Sequence, residues 1–528
     1  IRGSQDIVPK ITLASFSAAA DCDPTPVLAS QSGGDLSLNI GTRAADRGKG
    51  NTADSAEKFI VEHASGTAGN ETVRVKAFGF TQEYSGVSRI LFDAGNGSDV
   101  VDCRGVYARV EGSGGDGDDQ IYLGDGGGRA SGGNGNDALT GGNGADELDG
   151  GGGNDTLTGN AGNDTFRDDA GTNTMAGGDG NDLLVADGTA GDDTLRFWAD
   201  RVQRVAAFTN TFAGIETVRS AGGSGADRFE VDTSLAATGG GVGSLALSAL
   251  DLSGAAGADQ FLVFGTRSGS TTTLSGGGDD DTFLLTNKGN TRGGKTGGAL
   301  DRVYGAVSID AGAGAANRLI LDDSGGWGDL GIVVASGSIT GLAPAAVSFA
   351  ASGGAFTSAT GDQGIRIVGS ATKADIFAIT STAAGNTTRV EGGGGNDMLT
   401  VGSAGKSLDD IKGLLTIAGG DHDATPLTTF SVGDLANAVP MGDTLVFEDS
   451  GNGSGSTSYT VTKNSIERTG AAKIAYETTE TIDLRMGSLA ATATVQSTAD
   501  STTTMLTGND AANTVTVEAT GASANLLV

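Results

Sequence analysis

Along residues 114–185, apolar positions recur with a period that fits neither an amphipathic helix nor a long strand. Set in nines, the stretch reads GGDGDDQIY, LGDGGGRAS, GGNGNDALT, GGNGADELD, GGGGNDTLT, GNAGNDTFR, DDAGTNTMA and GGDGNDLLV, without a slip in register. The eighth position holds Ile121, Ala130, Leu139, Leu148, Leu157, Phe166, Met175 and Leu184. One such position in nine is too sparse for the apolar stripe of a helix. It suits a three-residue strand whose middle side chain points inward, because successive strand residues face opposite sides. The remaining six residues, rich in Gly, must turn sharply, and Gly reaches positive φ without steric cost. Two nine-residue halves then close one coil, and coils stack at the strand spacing.

The sixth position carries the candidate chemistry. It is Asp119, Asp137, Asp146, Asp155, Asp164 and Asp182, and stacking lines these residues up on each edge. Carboxylates about 4.8 Å apart repel by roughly 1 kcal/mol per pair in water and by several times more at lower effective dielectric. The 72-residue block holds 13 Asp and Glu147 against Arg129 and Arg167, a local net charge of -12. A hard divalent cation removes that repulsion. The turns offer what Ca²⁺ prefers, several oxygens from Asp carboxylates and from carbonyls left open by Gly. Calcium is expected to be structural, standing in for a core that so thin a roll lacks.

The rows GGNGNDALT, GGNGADELD and GGGGNDTLT resemble the G-G-x-G-x-D-x-U-x nonapeptide of the repeats-in-toxin, or haemolysin-type, calcium-binding family. The resemblance implies a parallel β-roll, multiple Ca²⁺ bound between successive turns, and export from a bacterium with folding triggered by calcium outside the cell. It covers 72 of 528 residues, and the rows LGDGGGRAS and DDAGTNTMA lack the Asp.

Elsewhere the motif returns at wider, irregular spacing. Asp99, Asp227, Asp259, Asp281 and Asp397 hold the sixth position of such copies, followed by Val101, Phe229, Phe261, Phe283 and Leu399. The related GTAGDDTLRF from Gly188 places Asp193 in the same way, and SIDAGAGAANRLIL carries Asn317 instead. For these copies ordinary turn chemistry competes with calcium, and they are expected to lack stacked neighbours with which to share an ion. The fold class expected is all-β, a right-handed parallel β-helix or β-roll solenoid with irregular side loops. The domains expected are a β-rich region at 1–93, the β-roll at 94–185, a β-helix with degenerate repeats at 186–420, and C-terminal repeats with an inserted loop at 421–528. One short helix is expected near Ser407 to Leu415, and the Thr runs do not fall in step with the coils.

Composition narrows the partners. With 65 acids against 33 bases the formal charge is -32, which repels nucleic acid and anionic membranes and favours cations or basic surfaces. No apolar run is long enough for a membrane span. The first residues, IRGSQDIVPK, show neither an initiator Met nor an apolar signal core, so a processed product or a piece of a longer chain is expected. Cys22 and Cys103 match neither a redox pair nor a zinc site; a disulfide and two separate thiols both remain open.

Two common catalytic signatures are missing from the sequence. His63 and His422 do not form H-E-x-x-H, and G-x-S-x-G is absent. The adjacent acids Asp322 and Asp323, or Glu448 and Asp449, would point to opposite faces of a strand. Trp198 and Trp327 are too isolated for a sugar-stacking platform, so packing in the core or against a loop is expected of them. No activity is expected. The reading is an extracellular, calcium-stabilised solenoid of structural or adhesive role on a bacterial surface: a surface-layer, filament or adhesin segment. Its partners are calcium, further copies or neighbouring domains, and a surface polysaccharide. A chain without evident polar caps would stack end to end. The alternative is a secreted carbohydrate-active enzyme or its calcium-binding accessory region.

Overall fold

The computed structural model describes residues 25–234, 246–288, 298–357, 364–421, 442–453, 457–509 and 511–528. The chain divides into two compact units, Ile1–Ala161 and Gly162–Val528. Each is a parallel β-solenoid whose coils alternate between two facing sheets. No described helix is long and apolar enough to cross a membrane.

In the first unit one sheet stacks Asp35–Leu38, Arg89–Asp93, Arg109–Asp116, Gly128–Asn134 and Asp146–Gly152 in parallel. The other stacks Lys58–Thr67, Val100–Asp102, Gln120–Tyr122, Ala138–Thr140 and Thr156–Ala161. Phe59, Val101, Ile121, Leu139 and Leu157 fall in one register row, and all are buried. The eighth position of the repeat is therefore the core, one side chain per half-coil. In the row GGNGNDALT the turn admits no larger residue at two places. Gly133 and Gly135 have φ of +110° and +135°, and a Cβ on them would lie 2.1 and 2.0 Å from the carbonyl oxygens of Gly115 and Gly117 one coil before.

The first described coil of this unit is covered, contrary to the expectation of a chain without caps. A 3₁₀ helix, Gly41–Arg47, and an antiparallel meander, Lys58–Thr67, Asn70–Ala77 and Phe80–Val87, close it. Arg47 is fully buried; its guanidinium pairs with Glu57 at 2.5 Å and lies 4.7 Å over the ring of Phe78.

In the second unit the coils vary in length while the register persists. Phe229, Phe261 and Phe283 are partners on consecutive strands, and their rings stack at centroid distances of 4.6 and 4.9 Å. Phe197 extends the stack at 6.3 Å. Extra residues leave the coil as antiparallel excursions that return to the same sheet. Arg201–Arg204 lies between Thr194–Trp198 and Phe208–Ala213, and Ser465–Arg468 lies between Thr457–Thr462 and Ile474–Glu477.

One expectation fails in this unit. Ser407 to Leu415 forms no helix: Leu408 and Ile411 are both buried, a single turn links them, and strand Leu414–Asp421 begins just past Gly413. The Leu408 N–H donates to Asp449 Oδ1 at 2.9 Å, so tertiary contact overrides helical periodicity. Outside the runs STTT and TTTL, threonines near the C-terminus fall in step: Ser458, Thr492 and Thr514 align, as do Thr460, Thr494 and Thr516. The long coil between the first two of these strands hides that register in the sequence.

The packing of the turns is directly testable. A Cβ at Gly132 would sit 2.3 Å from Asp137 Oδ2 and 2.5 Å from the Gly150 carbonyl oxygen, whereas one at Gly152 meets nothing nearer than 3.4 Å. Gly132→Ala is expected to cost about 2–3 kcal/mol and Gly152→Ala under about 0.5 kcal/mol in denaturant titrations. Equal midpoints for the two variants would show that the turns have room to spare.

Candidate functional site

Each sixth-position Asp is held by the strand that follows its turn and reaches back along the stack. In the first unit the N–H of Glu57 donates to Asp99 Oδ1 at 2.6 Å. The N–H of Asp99 donates to Asp119, that of Asp119 to Asp137, and that of Asp137 to Asp155, each to Oδ1 at 2.7 Å. One carboxylate per coil thus caps the turn of the coil before it. All of these acids are buried, yet Oδ2 of Asp99, Asp119 and Asp137 accepts no hydrogen bond. On the other edge Asp146 Oδ2 accepts the Gly142 N–H at 2.8 Å, and Gly128 takes the register place an Asp would hold one coil earlier.

The second unit repeats the device three times. Asp164 N–H donates to Asp182 and Asp182 N–H to Glu216. Asp193, Asp227, Asp259, Asp281 and Asn317 form a second chain of such bonds, at spacings of 34, 32, 22 and 36 residues. Asp329, Asp375, Asp397, Asp443 and Glu480 form a third. This corrects the expectation that scattered copies lack stacked neighbours: the carboxylates remain in step although the residues between them vary in number. Oδ2 of Asp182, Asp227, Asp259, Asp281 and Asp397 is buried and accepts no hydrogen bond.

Sequence reasoning missed several members. Glu57, Glu216, Asp329 and Glu480 belong to these ladders without standing in a recognisable repeat, and only their alignment after folding identifies them; Asp375 in GSATKADIFAI and Asp443 in GDTLVFEDSG stand in weaker echoes of the motif. It also missed an exposed outer ladder in the first unit. Asn134 Nδ2 donates to Asp116 Oδ1 at 2.7 Å, Asn136 N–H to Asp118 Oδ1 at 2.8 Å, and Asn154 N–H to Asn136 Oδ1 at 2.9 Å.

Burial is the main electrostatic fact. It pushes Asp99 and Asp137 up to about 7 and Asp119 to about 6, against the lowering effect of the amide each one accepts. Asp259 rises to about 6, and Asp281 and Asp397 to about 7, for the same reason, with neighbouring carboxylates adding to the rise. The bases do not relieve this. They sit on the sheet faces in pairs such as Arg89 with Asp35, Arg109 with Glu111, Arg196 with Glu230, and Arg366 with Glu391. Among the described residues no Lys or Arg pairs with Asp99, Asp119, Asp137, Asp182, Asp227, Asp259, Asp281 or Asp397.

These residues fit calcium by their donors. At Asp119, Asp137, Asp182, Asp227, Asp259, Asp281 and Asp397 a buried carboxylate oxygen lacking a donor enters a glycine turn; the Cβ position of Gly114 is 2.2 Å from Asp119 Oδ2 and 2.6 Å from the Gly132 carbonyl oxygen. Two acceptors converge there with no proton between them. No three acidic, His or Cys side chains meet at one point among the described residues. The set therefore consists of single carboxylates with backbone carbonyls, the oxygen-rich mixture that suits Ca²⁺.

Parallel coils, glycine turns and a buried carboxylate ladder define a calcium-binding β-roll. Comparison with protein families agrees. The model of the RTX calcium-binding nonapeptide repeat (4 copies) matches residues 122–157, 131–166 and 149–184. A search of curated proteins finds no match. The chain thus carries RTX repeats, which are calcium-binding motifs, and the several copies bind multiple Ca²⁺.

The other candidates have structural partners. His63 Nδ1 lies 2.6 Å from Glu71 Oε1, and Glu71 Oε2 accepts the N–H of Tyr107 and Ala108, pinning a loop to the meander. Asp449 accepts from Arg468 and Tyr459, while Glu448 pairs with Arg485. Arg201 stacks on Trp198 at 4.6 Å. Trp327 is exposed, not packed in the core. Cys103 is buried; Cys22, His422 and the inserted loop after Asp421 lie outside the described residues.

The raised acids set a pH dependence. A carboxyl with a folded pKa above its unfolded value near 3.9 stabilises the fold fully below that value and loses the contribution as pH rises through about 6–7. Calcium-free protein is therefore expected to melt at higher temperature at pH 5 than at pH 8. Saturating calcium, which binds the ionised form, removes the drop. Equal melting temperatures at both pH values in calcium-free buffer would contradict the burial of these groups.

Proposed function

We propose that the chain is an extracellular structural or adhesive segment of a bacterial surface protein, held in shape by calcium and without catalytic activity of its own. The observation that carries the reading is the buried carboxylate ladder in which the inner oxygens of Asp99, Asp119, Asp137, Asp182, Asp227, Asp259, Asp281 and Asp397 have no donor and no basic partner among the described residues. Such a ladder is unfavourable until a cation enters it. Low-calcium cytoplasm would leave it loose, and calcium outside the cell would close it. We assign the calcium-binding carboxylates to Asp137, Asp146, Asp155, Asp164 and Asp182 within the matched repeats, and to Asp99, Asp119, Asp193, Asp227, Asp259, Asp281 and Asp397 beyond them.

A rigid, elongatable scaffold of surface-layer, filament or adhesin type suits a chain whose functional groups are absorbed in stacking. Its partners are calcium, neighbouring domains or copies, and polymers at a cell surface. Low Cys and Met content also suits long exposure to oxidants. Incubation with acidic and neutral polysaccharides tests the absence of activity; turnover abolished by replacing one cluster of surface Asp, Lys or Arg would favour the carbohydrate-active alternative.

Chelation is expected to lower the melting temperature steeply, since each independent site filled a hundredfold above its Kd adds about 2.7 kcal/mol. An unchanged melting curve in excess chelator would overturn the proposal. Asp137→Ala and Asp281→Ala, one inside and one outside the matched repeats, are both expected to cost about 2–3 kcal/mol in calcium. A near-neutral Asp281→Ala, with calcium stoichiometry intact, would confine the ions to the tandem block.

A further inference from the structure

The chain contains four Gly-Asn-Gly triplets, centred on Asn96, Asn134, Asn143 and Asn452. Asparagine followed by glycine is labile in water, because no Cβ keeps the glycine nitrogen from the side-chain carbonyl of the asparagine. Asn452, in the second unit, is buried. The other three lie in the first unit, all exposed. Their side-chain amides are held alike: Asn96 Nδ2 donates to Asp54 at 2.6 Å, Asn134 Nδ2 to Asp116 at 2.7 Å and Asn143 Nδ2 to Asp125 at 2.8 Å.

The three differ in the backbone nitrogen that follows. The Gly97 N–H donates to the Asp116 carbonyl and the Gly135 N–H to the Gly152 carbonyl, each at 2.7 Å, so both are tied to the next coil. The Gly144 N–H donates to no acceptor among the described residues. Its turn is built differently. Gly95, Gly97, Gly133 and Gly135 have φ of +84° to +135°, whereas Gly142 and Gly144 stay outside the positive-φ region, and the Gly142 N–H turns to Asp146 Oδ2 at 2.8 Å.

We propose that Asn143 is a site of spontaneous covalent modification, converting to isoaspartate and aspartate while Asn96 and Asn134 last. The Gly144 nitrogen attacks Asn143 Cγ; the new N–C bond closes a succinimide ring as the Cγ–Nδ2 bond breaks, and the displaced proton leaves on the ammonia. Water then opens the ring. Attack at Cγ gives aspartate, and attack at the main-chain carbonyl carbon gives isoaspartate, so one water enters for each ammonia lost. Isoaspartate lengthens the main chain within the turn that delivers Asp146, and either product sets a negative charge opposite Asp125 where an amide donor stood. The reaction needs no ion and stands apart from the calcium reading.

The test ages the full calcium-loaded chain in warm, mildly alkaline buffer, beside the same chain in concentrated urea. Peptide mapping with mass spectrometry counts aspartate and isoaspartate at each site. In the folded chain Asn143 is expected to convert about tenfold faster than Asn96 or Asn134, the ratio set by one amide hydrogen bond that must break before attack. In urea the three triplets, identical in sequence, should convert at closely similar rates, which assigns the difference to the fold. Asn143→Gln, whose longer side chain closes its ring far more slowly, should remove the product at this position. Equal rates at the three sites of the folded chain overturn the proposal. So does a folded chain in which Asn96 or Asn134 converts first, or an Asn143 lead that persists unchanged in urea.

Discussion

The ladder turns of this solenoid depend on a side-chain oxygen, in most of them one oxygen of a carboxylate, accepting the backbone N–H of the equivalent residue one coil earlier. A strand of three residues has too few ladder bonds to hold its turn alone, and a buried amide without a partner is costly. The Asp side chain settles that debt and creates another, because its second oxygen is then shut inside a turn built of glycine. The cation requirement follows from the backbone. It does not need a preformed cage of acids, and among the described residues none exists.

The distribution of charge makes the same point. Arginines are spent on the sheet faces, where pairs such as Arg366 with Glu391 are partly solvated and contribute modestly. Two places show the protein supplying its own alternative to an external ion. Arg47 meets Glu57 at the covered start of the first unit, and Arg468 meets the buried Asp449 near the C-terminal end. Asn317 shows a third solution: its Oδ1 accepts the Asp281 N–H while its Nδ2 donates to the Gly314 carbonyl. There the ladder closes with a neutral amide.

Much of this was legible in the sequence where the period is strict. From Gly114 to Val185 the nine-residue spacing yields the strands, the inward row from Ile121 to Leu184 and the sixth-position acids. Beyond Val185 the local motifs could be read and their alignment could not, since pairing across 34 or 46 residues depends on where insertions leave and rejoin the sheet. Asp227, Asp259 and Asp281 therefore looked isolated although they stack. Glu216 and Glu480 were invisible because a longer acid reaches the same amide from an unrelated local sequence. Leu408 and Ile411 imitate a helical stripe, yet both serve a turn buried against the neighbouring coil.

The most direct measurement of the central claim is equilibrium unfolding of Asp137→Asn beside Asp137→Ala, each with saturating calcium and without it. Asn keeps the oxygen that receives the Asp119 N–H and replaces the orphaned oxygen with a donor, as Asn317 does naturally. The account predicts that Asp137→Asn is more stable than wild type in calcium-free buffer and gains less from calcium, while Asp137→Ala is weaker in both. If the Asn and Ala variants lose stability alike without calcium, the buried second oxygen is not what makes the fold depend on the ion.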